Sequence, residues 1–539
     1  MREGRRALLA GAWFLALACG RTGLNGGNVS GGGEGGIAFE PPVDECQLDA
    51  DCPSDDACTP GVCRFPDADH EVRYCVTRVV TCDDGDPCTM DRCDPDDGRC
   101  VHAGGGDEDH DGYRGLALEG MPTSCGGADC DDSDPRVFPG ATESCDSKDN
   151  DCDGAIDEGA SYTSQATPVL LAPGTFRSAA AGFAFDGTHY AVTYTETESS
   201  QRSKAYFALL GRDGSVAFGP SAVSEINADA LAGTIATSGK AFFTSWADAR
   251  QAGSYEIYGT RFDQQAQKLE ADQRLSNAPW FSLRPSTSYT GDGYRVVWED
   301  QRFAQTGGVV AVYGRKITLD GLADGDEVRL TGDDEDAGLP ESDVSKTRLG
   351  VAYTVQGPLL PSGGDYQSTV RFRSFDLELG DDSGPVDIGV DGQEPSIVRT
   401  AEGFVVAWHT GYLGSGWGGA IQAAVLDERG GVLALGPITT GDAHARSRAL
   451  VSLGDRVLVV WSAMPTASSP YQLFYEVISA RDLSVESPRQ PLVMSNSDLT
   501  EPSVELGPNG DVGVLFNDKT AYQAYFVPLA CTVSSPTPR

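Results

Sequence analysis

Basic residues are scarce in this sequence. Its 539 residues include 40 Lys plus Arg against 80 Asp plus Glu, which gives a formal net charge of −40. No stretch forms a basic stripe able to neutralise phosphates, and this argues against nucleic-acid binding. An acidic surface of this kind suits solubility outside the cell and the binding of cations.

Long apolar runs are almost absent as well. Only Ala7–Ala18 is continuously apolar, and it is too short to cross a bilayer as a stable transmembrane helix. Because it follows the basic segment Met1–Arg6, it predicts an export signal over residues 1–18. The sequence ALACG at the end of this signal resembles a bacterial lipobox. The resemblance implies acylation of Cys19 and anchoring through lipid at a bacterial outer membrane or cell surface. Cleavage of an ordinary signal beside an incidental cysteine is the alternative.

Cysteine is nearly missing from residues 161–539, where Cys531 stands alone, and it is concentrated before them. In an exported chain such a concentration predicts a disulfide framework, and the lack of C-x-x-C pairs argues against zinc. The first group has nine members: Cys46, Cys52, Cys58, Cys63, Cys75, Cys82, Cys88, Cys93 and Cys100. The second group has four: Cys125, Cys130, Cys145 and Cys152. Because nine is odd, we expect one cysteine of the first group to pair with Cys531.

Alternating carboxylates follow the cysteine-rich region. Two loops place Asp at positions 1, 3 and 5 and Gly at position 6, a pattern that directs oxygen atoms toward one hard cation such as calcium. Neither loop has the Glu at position 12 of an EF-hand, so irregular cross-linked loops are expected. The predicted metal ligands are Asp107, Asp109, Asp111, Tyr113, Asp129, Asp131, Asp132, Asp134, Asp149, Asp151, Asp153, Asp157 and Glu158.

The run DCDDSDPRVFPGATESCDSKDNDCDGAIDE closely resembles a metal-binding motif of bacterial secreted and surface proteins, named after the copper protein MopE. The resemblance implies that this region binds a metal. The namesake's copper site uses a modified Trp and His, whereas the motif region has no Trp and only His110, so copper is not expected here. Ligands that are all oxygen favour calcium. The alternative is that the acids only solvate a disulfide knot.

The rest of the chain contains a repeat. An apolar, strand-like run ending in an aromatic residue recurs every 52 to 55 residues, which predicts seven copies of one unit. The aromatic residues are Tyr194, Trp246, Trp298, Tyr353, Trp408, Trp461 and Phe516. Each unit has room for four strands, the signature of a propeller blade. The seventh unit lacks a clear fourth strand, and Thr167–Ala172 is expected to supply it and close the ring. A pair of β-sandwiches is the competing architecture.

Two repeats carry Trp-x-Asp-x-Arg, at Trp246 and at Trp298. This pattern predicts an internal ion pair that stabilises a turn of the blade. Contact with a ligand is the alternative interpretation.

Catalytic motifs are missing, so no catalytic residue is predicted. The sequence has no G-x-S-x-G elbow, phosphate loop or zinc-binding His pair. The histidines are scattered and are interpreted as ordinary surface residues: His70, His102, His110, His189, His409 and His444.

The predicted fold class is mainly β: a seven-bladed β-propeller preceded by a small disulfide-rich, metal-binding region with little regular structure. The predicted segments are a signal peptide (1–18), a Gly-rich tether (19–36), a cysteine-rich region (37–104), the metal-binding motif (105–160) and the propeller (161–539). The expected function is a calcium-binding, lipid-anchored surface protein whose propeller recognises or adheres to an extracellular protein or carbohydrate. The alternative is a cell-surface hydrolase, of glycosidase or lyase type, with carboxylates at the propeller mouth.

Overall fold

The computed structural model describes most of the chain after residue 107. The described residues are 48, 52, 57–64, 74–84, 90–95, 98–103, 107–116, 127–164, 167–172, 177–197, 202–224, 229–251, 254–359, 366–413, 416–417, 419–439, 444–466 and 468–533. The predicted signal, tether, lipidated Cys19 and the cysteines Cys46, Cys88 and Cys125 lie outside these residues. Among the described residues, no helix has the length and apolar character needed to cross a membrane.

The chain divides into two compact units, residues 1–85 with 90–103, and residues 86–89 with 104–539. The first unit has two short antiparallel hairpins, in which β1 (Gly61–Arg64) pairs with β2 (Tyr74–Thr77) and β3 (Met90–Cys93) pairs with β4 (Cys100–Ala103). Its described disulfides are Cys52–Cys75, Cys58–Cys93 and Cys82–Cys100. Disulfides at this density are typical of an extracytoplasmic protein.

The second unit contains seven antiparallel sheets, each corresponding to one sequence repeat. Blade 1 comprises β7 (Arg177–Phe185), β8 (Tyr190–Thr197), β9 (Ser203–Leu210) and β10 (Val216–Ala222). Blade 2 comprises β11 (Ala230–Leu231), β12 (Ile235–Thr237), β13 (Phe242–Gln251), β14 (Ser254–Phe262) and β15 (Gln273–Arg274). Blade 3 comprises β16 (Ser282–Tyr289), β17 (Gly293–Asp300), β18 (Ala311–Thr318) and β19 (Ala323–Arg329). A 3₁₀ turn at Ala304–Thr306 lies between its second and third strands.

The next three sheets repeat this arrangement. Blade 4 comprises β20 (Ala337–Val344), β21 (Arg348–Leu359), β22 (Tyr366–Asp376) and β23 (Val386–Val390). Blade 5 comprises β24 (Gly392–Arg399), β25 (Gly403–Thr410), β28 (Ile421–Asp427) and β29 (Val432–Pro437), with the hairpin β26 (Tyr412–Leu413) and β27 (Gly416–Trp417) between its second and third strands. Blade 6 comprises β30 (His444–Leu453), β31 (Arg456–Met464), β32 (Gln472–Ser479) and β33 (Val485–Val493).

Strands from both ends of the propeller complete blade 7. It contains β34 (Leu499–Leu506), β35 (Val512–Asp518) and β36 (Gln523–Val533), with a 3₁₀ turn at Pro508–Gly510. The third of these strands pairs with β6 (Val169–Leu170) and β5 (Ala160–Thr163). The first strands of neighbouring blades contact one another around the whole ring, including blade 7 with blade 1. The seven-bladed propeller and its closure by the Thr167–Ala172 segment are therefore confirmed.

The repeated aromatic residues form the core between blades. All seven are at most 2 % exposed. Rings from adjacent blades also pack together, as Phe207 does on Phe262 with centroids 4.3 Å apart. Burial of such large apolar surfaces is the main favourable contribution to folding, which explains why this position repeats so regularly.

The Trp-x-Asp-x-Arg segments form internal ion pairs, as predicted. In blade 2, Arg250 Nη2 lies 2.7 Å from Asp248 Oδ2, and Trp246 Nε1 donates to the same oxygen at 3.1 Å. In blade 3, Arg302 and Trp298 make the equivalent contacts with Asp300. Both aspartates are almost fully buried, so these triads belong to the blade interior.

Candidate functional site

The first acidic loop curls around its own carboxylates. Asp111 N donates to Asp109 Oδ1 at 3.1 Å, and Gly112 N donates to Asp107 Oδ2 at 3.2 Å. Gly112 has φ +100°, a conformation that favours glycine and lets the loop turn sharply. One oxygen of each carboxylate is thereby held by backbone, which directs the other oxygen to the inside of the loop.

These inner oxygens converge with oxygens from a neighbouring segment. Asp107, Asp109 and Asp132 each offer an oxygen within 4.8 Å of the others, and so do Asp109, Asp111 and Asp129. Four oxygens are buried without a hydrogen-bond partner among the described residues: Asp107 Oδ1, Asp109 Oδ2, Asp111 Oδ2 and Asp129 Oδ2. Buried carboxylate oxygens are costly unless they are paired or coordinate a metal, so this donor set fits a cation.

The second loop repeats the same construction. Asp149 accepts hydrogen bonds from the N–H groups of Asp153 at 3.1 Å and Gly154 at 2.8 Å. Its cluster includes Glu143, whose Oε1 accepts from Asp151 N at 2.9 Å. The other oxygen, Oε2, is buried and has no hydrogen-bond partner in the described ranges. Burial raises the pKa of Glu143 to about 7. Sequence reasoning missed Glu143, although it stands at a fixed position of the motif that the sequence resembles.

A further group joins the end of the second loop. Asp151, Asp153 and Glu158 place carboxylate oxygens within 4.8 Å of one another. Every donor in the acidic clusters of this region is oxygen, the set that hard cations prefer. His110 is exposed, and Cys130 and Cys152 are joined in a disulfide.

The structure places three predicted side-chain ligands, Asp131, Asp134 and Asp157, outside these clusters. Lys148 Nζ lies 2.6 Å from Asp131 Oδ2 and 2.8 Å from Asp134 Oδ2, so a side-chain cation already neutralises this pair. The ring of Tyr113 stacks on Phe138 with centroids 5.0 Å apart, and its predicted ligand atom is the backbone carbonyl at position 7 of the loop. Asp157 forms a buried ion pair with Arg456 of the propeller. The predicted set of thirteen ligands is therefore larger than the set that converges.

A mixed cluster occurs in the N-terminal unit. His102 Nδ1 lies 2.7 Å from Asp91 Oδ1 and 3.4 Å from Asp84 Oδ2. His102 was predicted to be an ordinary surface residue, and its contacts with two carboxylates were not predicted.

Comparison with known proteins supports the assignment of the acidic region. Residues 129–158 match the family Cu-binding MopE, described as "Putative metal-binding motif". The chain carries a MopE-type motif. No curated protein matches the chain.

Solved structures with similar folds include proteins of several kinds. A protein of unknown function from Dyadobacter fermentans has 13 % identity and a TM-score of 0.43, covering 70 % of this chain and all of its own. The GH93 α-L-arabinofuranosidase of Fusarium graminearum has 12 % identity and a TM-score of 0.38, covering 68 % and 98 %. The β-propeller domain of the Trilobed protease from Pyrococcus furiosus has 9 % identity and a TM-score of 0.41, covering 65 % and 93 %.

The MopE-type motif is fastened to the propeller at two points. A disulfide joins Cys145 to Cys531 on β36, with their Cα atoms 6.2 Å apart. The partner expected for Cys531 was one of the nine N-terminal cysteines, and this expectation was wrong because the motif itself lies against blade 7. At the second point, Arg456 Nη2 on blade 6 donates to Asp157 Oδ2 at 2.7 Å, and both side chains are buried.

A cavity of about 600 Å³ opens on the propeller axis. Its walls come from the first strands of the blades and contain four prolines, Pro285, Pro340, Pro395 and Pro502, together with small and apolar residues. The residue before each proline has a left-handed φ between +50° and +56°: Arg284, Leu339, Glu394 and Glu501. Such backbone is costly for residues other than glycine and is characteristic of functional sites.

Hydrogen bonds between neighbouring blades fix the backbone of two of these four residues. Glu394 N donates to Thr354 Oγ1 of blade 4 at 3.1 Å, and Leu339 N donates to Glu299 Oε2 of blade 3 at 3.3 Å. In both cases the acceptor residue directly follows the repeated aromatic residue of the preceding blade. The cavity wall is therefore positioned by residues at equivalent places in successive blades.

Charged side chains of opposite sign meet in the cavity. Arg448 lies 3.6 Å from Glu394 and donates from Nη1 to His409 Nδ1 at 3.2 Å. Glu341, also in the cavity wall, accepts a 3.3 Å hydrogen bond from Ser286. Burial raises the pKa of Glu341 to about 7 and, together with Arg448, lowers the pKa of His409 to about 4.

Sequence reasoning did not find these residues individually. His409 was interpreted as a surface residue, but its side chain is only 14 % exposed and lies beside Arg448. Glu341, Glu394 and Arg448 come from three different blades and leave no linear motif. The available signal was the proline that recurs in the first strand of four blades.

Proposed function

We propose that this protein is exported, anchored at Cys19, and uses calcium in the MopE-type motif to stiffen the base of a ligand-recognising propeller. The observation that carries the calcium assignment is the convergence of buried carboxylate oxygens that have no hydrogen-bond partner within the described part of the chain. The lipid anchor and the surface location rest on the lipobox-like sequence around Cys19.

Calcium suits these loops better than other common cations. It accepts six to eight oxygen ligands in irregular geometry, whereas magnesium requires a nearly ideal octahedron. The loops offer carboxylates at alternating positions, with their backbone N–H groups turned to the outer oxygens. When bound, the ion would offset the repulsion between neighbouring carboxylates such as Asp151 and Asp153.

Calcium is expected to stabilise the oxidised mature chain. With a dissociation constant of about 0.1 mM, 10 mM calcium would add about 2.7 kcal/mol to the free energy of unfolding. Calorimetric titration and thermal unfolding of the metal-stripped protein would measure binding and stabilisation, with copper and magnesium titrated in parallel. The whole mature chain is required because Cys145 is linked to the propeller.

The double variant Asp109→Asn/Asp151→Asn should lose most of this stabilisation because Asp109 belongs to both clusters of the first loop and Asp151 to both clusters of the second. Asp320→Asn provides the control, since Asp320 is 85 % exposed on blade 3. An absence of calcium binding at 10 mM, or equal stabilisation of the double variant, would contradict the calcium proposal.

We infer a second candidate function, surface glycoside hydrolysis, from the carboxyl groups of the axial cavity. Hydrolysis needs an acid that protonates the leaving oxygen and a carboxylate that takes a proton from the attacking water. Glu341, with its raised pKa, is suited to the first role, and Glu394 to the second. The water hydroxyl would then bond to the anomeric carbon as the glycosidic bond breaks.

Such hydrolysis should decline above pH 7 as Glu341 loses its proton, by about tenfold per pH unit. Release of reducing ends from oligosaccharides at pH 5 to 9 would measure this decline. Glu341→Gln should abolish release, whereas Glu378→Gln, on an exposed side chain, should not change it. No release by the parent protein would eliminate the hydrolase candidate and leave recognition.

A further inference from the structure

Arg448 is a buried cation with unused hydrogen-bonding capacity. Its side chain is 5 % exposed, and its Nε has no hydrogen-bond partner among the described residues. A guanidinium group has five N–H donors, and a buried donor left without an acceptor costs free energy. Arg448 also lines the axial cavity, where a ligand can offer an acceptor to the guanidinium group.

The carboxyl groups beside Arg448 restrict which ligand can supply the acceptor. Glu394 lies 3.6 Å from the guanidinium group, and Glu341 lines the same cavity. An anionic ligand that approached Arg448 would be repelled by these two acids. A cationic ligand that approached the two acids would be repelled by Arg448. Neutral groups that both accept and donate hydrogen bonds satisfy all three side chains.

Hydroxyl groups have this dual character. One hydroxyl accepts from a guanidinium N–H while it donates to a carboxylate oxygen, and two adjacent hydroxyls do so along both side chains at once. The proline, alanine and leucine residues of the cavity wall offer apolar surface to C–H groups. A volume of about 600 Å³ lies in the range of cavities that hold small ligands.

We propose that the axial cavity binds a neutral saccharide residue through adjacent hydroxyl groups, with Arg448, Glu394 and Glu341 as its polar contacts. This proposal rests on the recognition function proposed above and identifies its site and ligand class. The strained residues before the four prolines hold the cavity open in advance, so little ordering is needed on binding.

An immobilised array of neutral, uronic-acid-containing and amino-sugar glycans would test the proposal with the oxidised, calcium-loaded chain. We expect binding to at least one neutral glycan and weaker binding to its charged analogues. Isothermal titration with the corresponding free trisaccharide should show at least tenfold weaker affinity for Arg448→Gln and for Glu394→Gln. The matched control, Arg429→Gln, changes a side chain that is 64 % exposed and should bind like the parent protein.

Thermal unfolding of each variant would establish that it is folded, and Glu341→Gln provides a third substitution that preserves side-chain shape. Preference for charged glycans, or no binding to any neutral glycan, would overturn the saccharide assignment. Unchanged binding by folded Arg448 and Glu394 variants would overturn the cavity as its site while leaving recognition in place. The calcium titration of the same sample tests the metal proposal separately.

Discussion

The double variant Cys145→Ser/Cys531→Ser is expected to be less stable than the parent protein by about 3–5 kcal/mol. The disulfide spans 386 residues, so its removal greatly increases the freedom of the unfolded chain. It also fixes β36, the strand through which blade 7 pairs with β5 and β6. The free energy of unfolding measured by urea titration under oxidising conditions would test this expectation.

The control removes a disulfide from the other compact unit. Cys52→Ser/Cys75→Ser opens a separation of only 23 residues and should leave the unfolding transition of the propeller unchanged. A loss below about 1 kcal/mol in the Cys145/Cys531 variant would contradict the expectation. It would indicate that strand pairing alone closes the ring.

The Arg456→Ala substitution should also destabilise the protein by about 3–5 kcal/mol, because it leaves the Asp157 carboxylate buried without its cation. Arg456 donates from Nη2 to Asp157 Oδ2 at 2.7 Å and from Nη1 to the Asp157 carbonyl at 3.2 Å. The Asp157 carboxylate also accepts hydrogen bonds from Asp146 N and Ser147 N. The Asp157 side chain therefore both links the motif to blade 6 and fixes the backbone at residues 146 and 147. Thermal and urea unfolding would measure the loss.

Arg481→Ala is the matched control because that side chain is 66 % exposed and should contribute little. A double-mutant cycle with Asp157→Asn would isolate the coupling between Arg456 and Asp157. A coupling energy near zero would contradict the importance of this ion pair.

More of the fold than of the candidate site could be predicted, because the fold depends on residues that repeat along the sequence and the site depends on residues that meet only in the folded chain. Every blade needs a large buried side chain at the same place, so residues such as Trp246 and Phe516 mark the repeat directly. Alternating carboxylates likewise mark the acidic loops. The Cys145–Cys531 pairing depends on which surfaces meet in space, and cysteine parity gave the wrong partner. Arg448 and Glu394 converge only after ring closure, so their separation in sequence conceals the cavity.

The completion of blade 7 has a consequence for biogenesis. Ser161 and Thr532 contact each other although 371 positions separate them in sequence. Contacts of such long range raise the contact order of the fold and slow its formation. During synthesis, β5 and β6 are made early but have no partner until β36 has been made. Their unpaired edges must be protected from aggregation throughout that interval. Closure of the ring therefore waits for the last strand of the propeller sequence.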